Sequence, residues 1–376
     1  MSEIERLIKE KCPNGVEFKK LEDCCSILDS KRKPVSKGVR ENGEYPYYGA
    51  NGIQDYINDY IFDGEYVLVG EDGSVQTVNG TPVVNWAVGK IWVNNHAHII
   101  EEVEGVSLRY LYHYLQIVDV KDLIHGNIPK LNQGDFRNIK IAIPPFEIQE
   151  EIVRILDKFG ELEAELEAEL EARKSQYEFW RSQMFKNKGK SKISDLFKRV
   201  KGTPITAGKM KEIEHPDGKI RIFAGGQTVV NANLEDIPNA NIIDYPSVIV
   251  QSRGLIDFIY YDKPFTFKNE MWAYTCDNQV TVKYLYYYLK NSVNYFREIG
   301  TQMGSMPQIS LPVTEKFEIF LPSLEEQEKI VKILDKFEKL TNDITVGLPA
   351  EIELRRKQYE YYRNKLLSFE ELSVSE

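Results

Sequence analysis

The sequence predicts a mixed α/β (α+β) protein with a pseudo-two-fold internal repeat. Two similar domains are separated by two long helices packed as an antiparallel coiled coil. Three observations carry this expectation. First, "PPFEIQEEIVRILDKF" at 144–159 returns as "PSLEEQEKIVKILDKF" at 322–337. Aligning Ile143–Phe159 with Leu321–Phe337 gives 11 identical residues in 17 at a constant offset of 178, and a fixed period means one structural unit used more than once. Second, two long stretches space their apolar residues three, four or seven apart, a single stripe on a helix. Third, the bodies between them read as short apolar runs broken by Gly and Asn, which is strand-and-turn composition.

The first body, residues 1–142, starts with "CPNGVEFKKL" (12–21) and the basic "SKRKPVSKGVR" (30–40). "DGEYVLVGEDG" (63–73) reads as a buried strand entering a glycine turn, and "SLRYLYHYLQ" (107–116) as a tyrosine-rich helix. A strand then runs into Pro144-Pro145 and a helix predicted over 147–185, which at 1.5 Å per residue is about 58 Å long; the linker segment is set at 143–186. The second body, 187–320, repeats the plan with "DYPSVIVQSRG" (244–254) and "TVKYLYYYLK" (281–290). The last segment, 321–376, starts with a Ser323/Glu326 capping box. Gly347 and Pro349 in "GLPAE" interrupt its stripe, so the coil is not perfectly two-fold. Leu156, Phe159, Leu334 and Phe337 are the expected core of the two helices.

At 376 residues the chain calls for at least two domains. No apolar run approaches the roughly 18 residues of a membrane span, and "MSEIERLIKEK" has no signal-peptide core. Cys12, Cys24, Cys25 and Cys276 contain no C-x-x-C, so neither a disulfide framework nor a zinc site is expected and the cytoplasm is the expected compartment. The net charge of −10 argues at first against nucleic acid, but −7 of it lies in residues 147–178. The bodies are near neutral and carry the local basic stretches 30–40 and 197–211, so acidic helices are attached to domains that can approach an anion.

A search for catalytic chemistry fails. "IPPF" (143–146) has the shape of the adenine-holding Asn/Asp-Pro-Pro-Tyr/Phe loop, but Ile143 cannot accept a hydrogen bond and no Gly-rich cofactor loop precedes it. "GTPITAGKM" (202–210) has five residues between its glycines, and Met210 stands where a phosphate loop needs Ser or Thr. His96 and His98 would share a strand face, as metal ligands can, but no third ligand is suggested nearby and Glu270 and Trp272 occupy the matching places. No metal is therefore expected.

Polar and basic turns at matching places suit base edges and phosphates. In the first body the candidates are Lys31, Arg32, Lys33 and Lys37, then Tyr48, Asn51 and Ser74, then Asn94, Asn95 and His96, with Asn127 and Lys130. In the second they are Lys198, Arg199, Lys201 and Lys209, then Gln227, Ser252 and Arg253, then Lys268 and Asn269, with Ser305 and Gln308. One scaffold with different turn residues would read two different sequences. A coiled-coil, protein-binding adaptor without DNA specificity is the alternative.

The repeated helix motifs, the helix ends "QYEFWR" (176–181) and "QYEYYR" (358–363), and "CPNGVEFKKL" resemble the specificity subunit of type I restriction–modification systems over essentially the whole chain. The resemblance implies two target-recognition domains, each reading half of a bipartite double-stranded DNA site. It implies helices that fix the gap and dock two adenine-N6 modification subunits, with a restriction/translocase subunit completing the complex. S-adenosylmethionine, ATP and magnesium are then expected on those partners and no cofactor on this chain. Gln149, Asp157 and Arg181, with Gln327, Asp335 and Arg363, are the exposed docking candidates. The thrice-repeated Glu-Leu-Glu-Ala at 161–172 would act as a ruler, one copy rising about 6 Å. Deleting Glu165–Ala168 is expected to change the gap between half-sites by about one to two base pairs, with the half-sites intact, as measured by sequencing selected duplexes.

Overall fold

The structure is a computed structural model that describes residues 3–187, 189–301 and 306–372, apart from the side chains of Gln227 and Thr301. Helix α1 (Glu3–Lys11) precedes strands β1 (Glu17–Lys20), β2 (Ser26–Ile27), β3 (Asn42–Gly49), β4 (Gly52–Ile57), β5 (Phe62–Gly70), β6 (Val84–Val93) and β7 (Ala97–Glu101). Helix α2 (Leu108–Leu115), strands β8 (Ile124–His125) and β9 (Lys130–Leu131), helix α3 (Gln133–Arg137) and β10 (Lys140–Ile143) lead into α4 (Phe146–Met184). The second copy starts with β11 (Ser191–Lys192), α5 (Ile193–Leu196), β12 (Lys198–Lys201), α6 (Ala207–Glu212), β13 (Ile220–Phe223) and β14 (Val229–Ala232). It continues with β15 (Ser247–Gln251), β16 (Asp257–Tyr261), β17 (Phe265–Phe267), β18 (Trp272–Thr275), α7 (Gln279–Asn291) and α8 (Val293–Thr301). Helix α9 (Leu311–Glu315), β19 (Glu318–Ile319), α10 (Leu324–Asn342) and α11 (Leu348–Leu366) complete the chain. The long first helix, expected over 147–185, is displaced by one residue. No described helix is long and apolar enough to cross a membrane.

The chain divides into two compact units, Met1–Leu166 with Ile352–Glu376, and Glu167–Glu351. In the first unit a six-stranded sheet has the order β2-β7-β5-β6-β3-β4, antiparallel except for the β3–β6 pair. Strand β5 shows why its sequence is apolar without alternation. Val67 and Val69 face the core shared with α2 and α4, while Tyr66 and Leu68 face a second cluster with Ile91 and Ile99. Both faces are covered, so period-2 patterning disappears. The C-terminal segment closes this unit: Val16 N donates to Glu370 O and Leu372 N to Val16 O, both at 2.9 Å. Gly15 is required there, since its φ is +92° and a Cβ would lie 2.5 Å from the Glu370 carbonyl.

In the second unit β12-β18-β15-β16 form one sheet and β14-β13-β17 another. Strand β15 repeats the two-sided burial, with Val248 and Val250 toward α7 and Ile249 toward Phe223 and Phe267. Ser323 caps α10 through the Glu326 amide, as the sequence pattern predicts. The predicted break falls at 343–347, just ahead of Pro349. There the Asp343 carboxylate accepts from the Thr345 and Val346 amides, while Pro349 occupies the first turn of α11, where its missing N–H costs nothing.

Each long helix is fastened to its own domain by the same polar ties. Gln149 Nε2 donates to the Pro144 carbonyl and its Oε1 accepts from Ser107 N at the start of α2, both at 2.9 Å. Gln327 repeats this, to the Pro322 carbonyl and from Thr281 Oγ1, both at 2.8 Å. Two turns further on, Asp157 bonds Arg109 Nε and His113 Nε2, both at 2.8 Å. Asp335 accepts from Lys283 Nζ at 2.9 Å and the Tyr287 hydroxyl at 2.5 Å. Burial pushes the His113 pKa down, against the opposing pull of Asp157.

The six docking candidates are therefore not the exposed set expected from the stripe. Gln149 is 0 % and Gln327 4 % exposed. Asp157 and Asp335 are half-buried and committed to the tyrosine helices. Arg363 lies 5.1 Å above the Tyr359 ring and donates to Gln116, and Arg181 lies 5.1 Å above Tyr177. The reason is that each helix buries a second, polar face against its own domain, which an apolar stripe cannot reveal. Leu156 and Leu334 are fully buried core. Phe159 and Phe337 are only half-buried, because they form helix–helix seams within their units. Phe159 stacks on Tyr362 at 5.4 Å, and one turn later Glu163 accepts from Arg356 Nε, so α4 and α11 run antiparallel. Phe337 meets Tyr177 at 6.0 Å.

Replacing Gln149 by Leu would strand the Ser107 amide and the Pro144 carbonyl. It is expected to destabilise the first unit by about 2 kcal/mol in urea unfolding. The exposed neighbour change Glu150→Gln is expected to stay within about 0.5 kcal/mol of the parent.

Candidate nucleic-acid interface

In the first unit, four turns that are distant in sequence converge at one end of the six-stranded sheet. The β3–β4 turn holds the β6–β7 turn through Asn94 N to Tyr48 O at 3.1 Å. The segment after β5 is held from two sides: Glu71 N donates to His96 O, and Leu131 N to Glu71 O, both at 2.8 Å. Gly73 N donates to Pro129 O at 2.9 Å, placing Asp72 opposite Lys130 in an isolated antiparallel bridge. Exposed on these turns are Asn51, Ser74, Asn95, His96, Asn127 and Lys130. An open cleft beside them has Ser36, Arg40, Gln54, Asn95 and His96 in its wall. Exposed Lys31, Lys33 and Lys37 lie on the segment leading into that wall, which is pinned by the Trp92 indole N–H donating to the Lys33 carbonyl at 2.6 Å.

The second unit reproduces three of these four backbone bonds, and a side-chain bond from Ser252 to the Glu270 carbonyl takes the place of the fourth. Lys268 N donates to Phe223 O at 3.0 Å, Ile309 N to Ser252 O at 2.9 Å and Gly254 N to Pro307 O at 2.9 Å. Arg253 stands opposite Gln308 in the isolated bridge. Gly73 and Gly254 have φ of +78° and +72°, a conformation that glycine adopts without strain, so both turns share one backbone solution. Arg253 and Asn269 are exposed, as is Lys201, which leads toward this end.

Several candidates are placed differently from the expectation. Tyr48, Asn94 and Ser252 are buried, and the last two use their polar atoms internally. Asn94 bonds Gln54 and the His96 amide, and Ser252 Oγ donates to the Glu270 carbonyl at 2.7 Å. They build the turns instead of facing outward. Lys268 pairs with Glu270 at 3.0 Å. Lys198, paired with Asp277, and Arg199 lie toward the opposite end of their sheet from Arg253, since Lys198 aligns with Thr275 while Lys201 aligns with Trp272. Lys209 is exposed on α6, paired with Glu212. The Gln227 side chain and Ser305 lie outside the described part.

Arg32 is the largest departure. Its side chain is 10 % exposed and ion-pairs with Glu71 at 2.6 Å and Asp29 at 3.4 Å. Asp29 also bonds His98 Nδ1 at 2.6 Å and accepts from Ile99 N and Gln133 Nε2. His98 Nε2 reaches the Leu131 carbonyl at 2.9 Å, and its ring stacks on Phe136 at 4.2 Å. His96 and His98 do not converge, for His96 lies in the surface turn against Asp72. Asp29, Glu71 and His98 do bring ligand atoms within 4.8 Å of one another. The charge that this cluster holds is the Arg32 guanidinium, with Lys130 Nζ also 3.1 Å from Glu71, which leaves the carboxylates no free demand for a metal. Burial pushes the Asp29 pKa up, but the His98 bond, Arg32 and the Ile99 amide hold it below the usual carboxylate range. The sequence signal for this network was a histidine inside an otherwise apolar strand. Asp29, Glu71 and Gln54 were missed because each is ordinary in its local context.

A duplicated frame that keeps its backbone bonds and changes the side chains it presents is suited to reading two different targets. The family model described as type I restriction modification DNA specificity domain matches residues 13–172 and again 186–354, and the chain belongs to that family. It is thus a DNA-sequence-recognition subunit of the restriction–modification class, not a catalytic one. A putative type I restriction enzyme specificity subunit of Haemophilus influenzae is 36 % identical over 391 aligned positions, covering 97 % of this chain and 99 % of the relative. The EcoR124I/EcoR124II specificity subunit of Escherichia coli is 33 % identical, covering 70 % of this chain and 71 % of its own. The crystal structure of the type I restriction–modification S subunit from M. genitalium shares the fold, with a TM-score of 0.64 at 15 % identity over 94 % of this chain and 96 % of that one.

Asp29→Asn would leave Arg32 short of a buried partner and is expected to cost the first unit about 3 kcal/mol at neutral pH. A depressed carboxylate pKa gives stability that is present above the ordinary Asp range and lost as pH falls through the lower folded value. The Asn variant is therefore expected to lose less stability than the parent between pH 6 and the acid range, measured by urea unfolding against pH.

Proposed function

We propose that each unit reads one half of a bipartite double-stranded DNA target. The observation that carries this reading is the matched pair of turn frames, Asp72 opposite Lys130 and Arg253 opposite Gln308, held by corresponding backbone bonds. Frames that differ in side chain but not in backbone supply two specificities on one geometry. The helical segments set the gap between half-sites and dock two modification subunits that methylate adenine N6, with a restriction/translocase subunit completing the complex. S-adenosylmethionine, ATP and magnesium belong to those partners, and the complex works in the cytoplasm.

The docking surface lies on the aromatic pairs at the helix ends, because Gln149, Asp157, Arg181, Gln327, Asp335 and Arg363 are engaged within their own units. Phe179 and Trp180 are 56 % and 44 % exposed, and Tyr361 and Tyr362 are 61 % and 40 % exposed. Each pair is edge-on, and each sits beside the arginine that ends its motif. A repeated exposed aromatic pair suits a partner that is bound twice, because aromatics desolvate large areas with little entropy loss.

The test is selection of duplexes from a random pool by the chain assembled with a type I modification subunit. Two short enriched blocks at a fixed gap are expected, and exchanging residues 1–142 for those of a relative is expected to change one block alone. Enrichment of a single block, or of none by a well-folded complex, would remove the two-reader proposal.

A further inference from the structure

The paired frames place side chains of opposite polarity at one equivalent position. Asp72 and Arg253 each precede a glycine with positive φ, each follow a residue whose carbonyl accepts from the returning segment, and each stand opposite that segment in a single bridge. Asp72 uses Oδ1 on His96 Nδ1, leaving Oδ2 to accept from an incoming donor. Arg253 is exposed, and among the described residues no carboxylate lies within ion-pair distance of it. Its counterpart across the bridge, Gln308, is uncharged.

We infer that Asp72 and Arg253 are the corresponding specificity-determining residues of the two half-sites and that they select base edges of opposite polarity; this rests on the two-reader proposal above. In the major groove a carboxylate accepts from the exocyclic amine of cytosine or adenine and repels the O6 of guanine and the O4 of thymine. A guanidinium donates in fork geometry to O6 and N7 of guanine. The first unit therefore demands an amino-bearing base at the position where the second demands guanine. The two half-sites differ in kind there because the protein turns do.

The experiment repeats the duplex selection with three variants of the assembled complex, each checked for an unchanged thermal transition. Arg253→Ala is expected to erase the preference for guanine at one position of one block, a change of about ten- to a hundredfold in base discrimination, with the other block untouched. Arg253→Lys keeps the charge but loses the fork, so it is expected to lose much of the same preference. If Arg253 instead grips a phosphate, the Lys variant will select the parental sequence and Ala will weaken all sequences alike, which overturns the inference. Asp72→Asn can donate as well as accept, so it is expected to admit guanine and thymine at one position of the other block. An unchanged motif from this variant overturns the assignment of Asp72. If the parent complex itself enriches no bipartite sequence, the two-reader proposal fails and this inference with it. A bipartite parental motif that no variant alters sinks the inference alone.

Discussion

The placement of both long helices depends on a buried glutamine at the start of each. A helix projecting from a domain by its first turn alone would swing, because a helix N-terminus has amides but no lateral constraint. Gln149 and Gln327 remove that freedom by bonding the proline carbonyl where the strand ends and the tyrosine helix that packs beside it. A glutamine buried this deeply is tolerated only because its amide is satisfied in both directions. The aspartates two turns later extend the bond pattern, so the helix and the α2 or α7 helix behave as one block. The chemistry of the second tie differs, a histidine–arginine pair in one unit and a tyrosine–lysine pair in the other, while its geometry is kept.

The polar ends of the sheets follow the same logic in reverse, with constant backbone and variable side chains. The frame is built mostly from main-chain hydrogen bonds, which almost any sequence can supply, and from two glycines at positive φ where any other residue would be strained. The side chains that face outward from such a frame are free to vary, because none of them is needed to hold it. The buried residues among the candidates mark the boundary of that freedom. Asn94 and Ser252 form part of the frame, and neither can change without moving a turn.

Beneath the first unit's frame lies a charged network that the second unit replaces with an indole. Trp272 Nε1 donates to Thr314 Oγ1 at 3.0 Å where His98 meets Asp29 and Leu131 in the other copy. Both solutions satisfy every strong polar atom that they bury. The ionic one is the more demanding, since losing one partner leaves an uncompensated charge in a dry place. The hydroxyl–indole solution puts only neutral hydrogen bonds at risk, those of the Thr314 hydroxyl to Trp272, Tyr274 and Leu311.

The duplication, the alternation of body and long helix, the helix start at the Pro-Pro pair and the break before Pro349 were all legible from sequence, because each depends on local spacing, capping or proline sterics. The correspondence of turns was legible too: offsets of 174 to 181 between copies pair the same residues that the backbone bonds pair. What tertiary structure alone decided is which polar residues face inward. Gln149 and Asp157 look solvated on a helical wheel, and Arg32 looks like part of a basic patch. Their burial is set by α2 and by Asp29 and Glu71, which lie roughly forty residues away along the chain for all but Asp29. Closure of the first unit by Glu370–Leu372 against Val16 is likewise invisible in sequence. Pairing between opposite ends of a chain has no local signature, only a pair of backbone partners that the fold brings together.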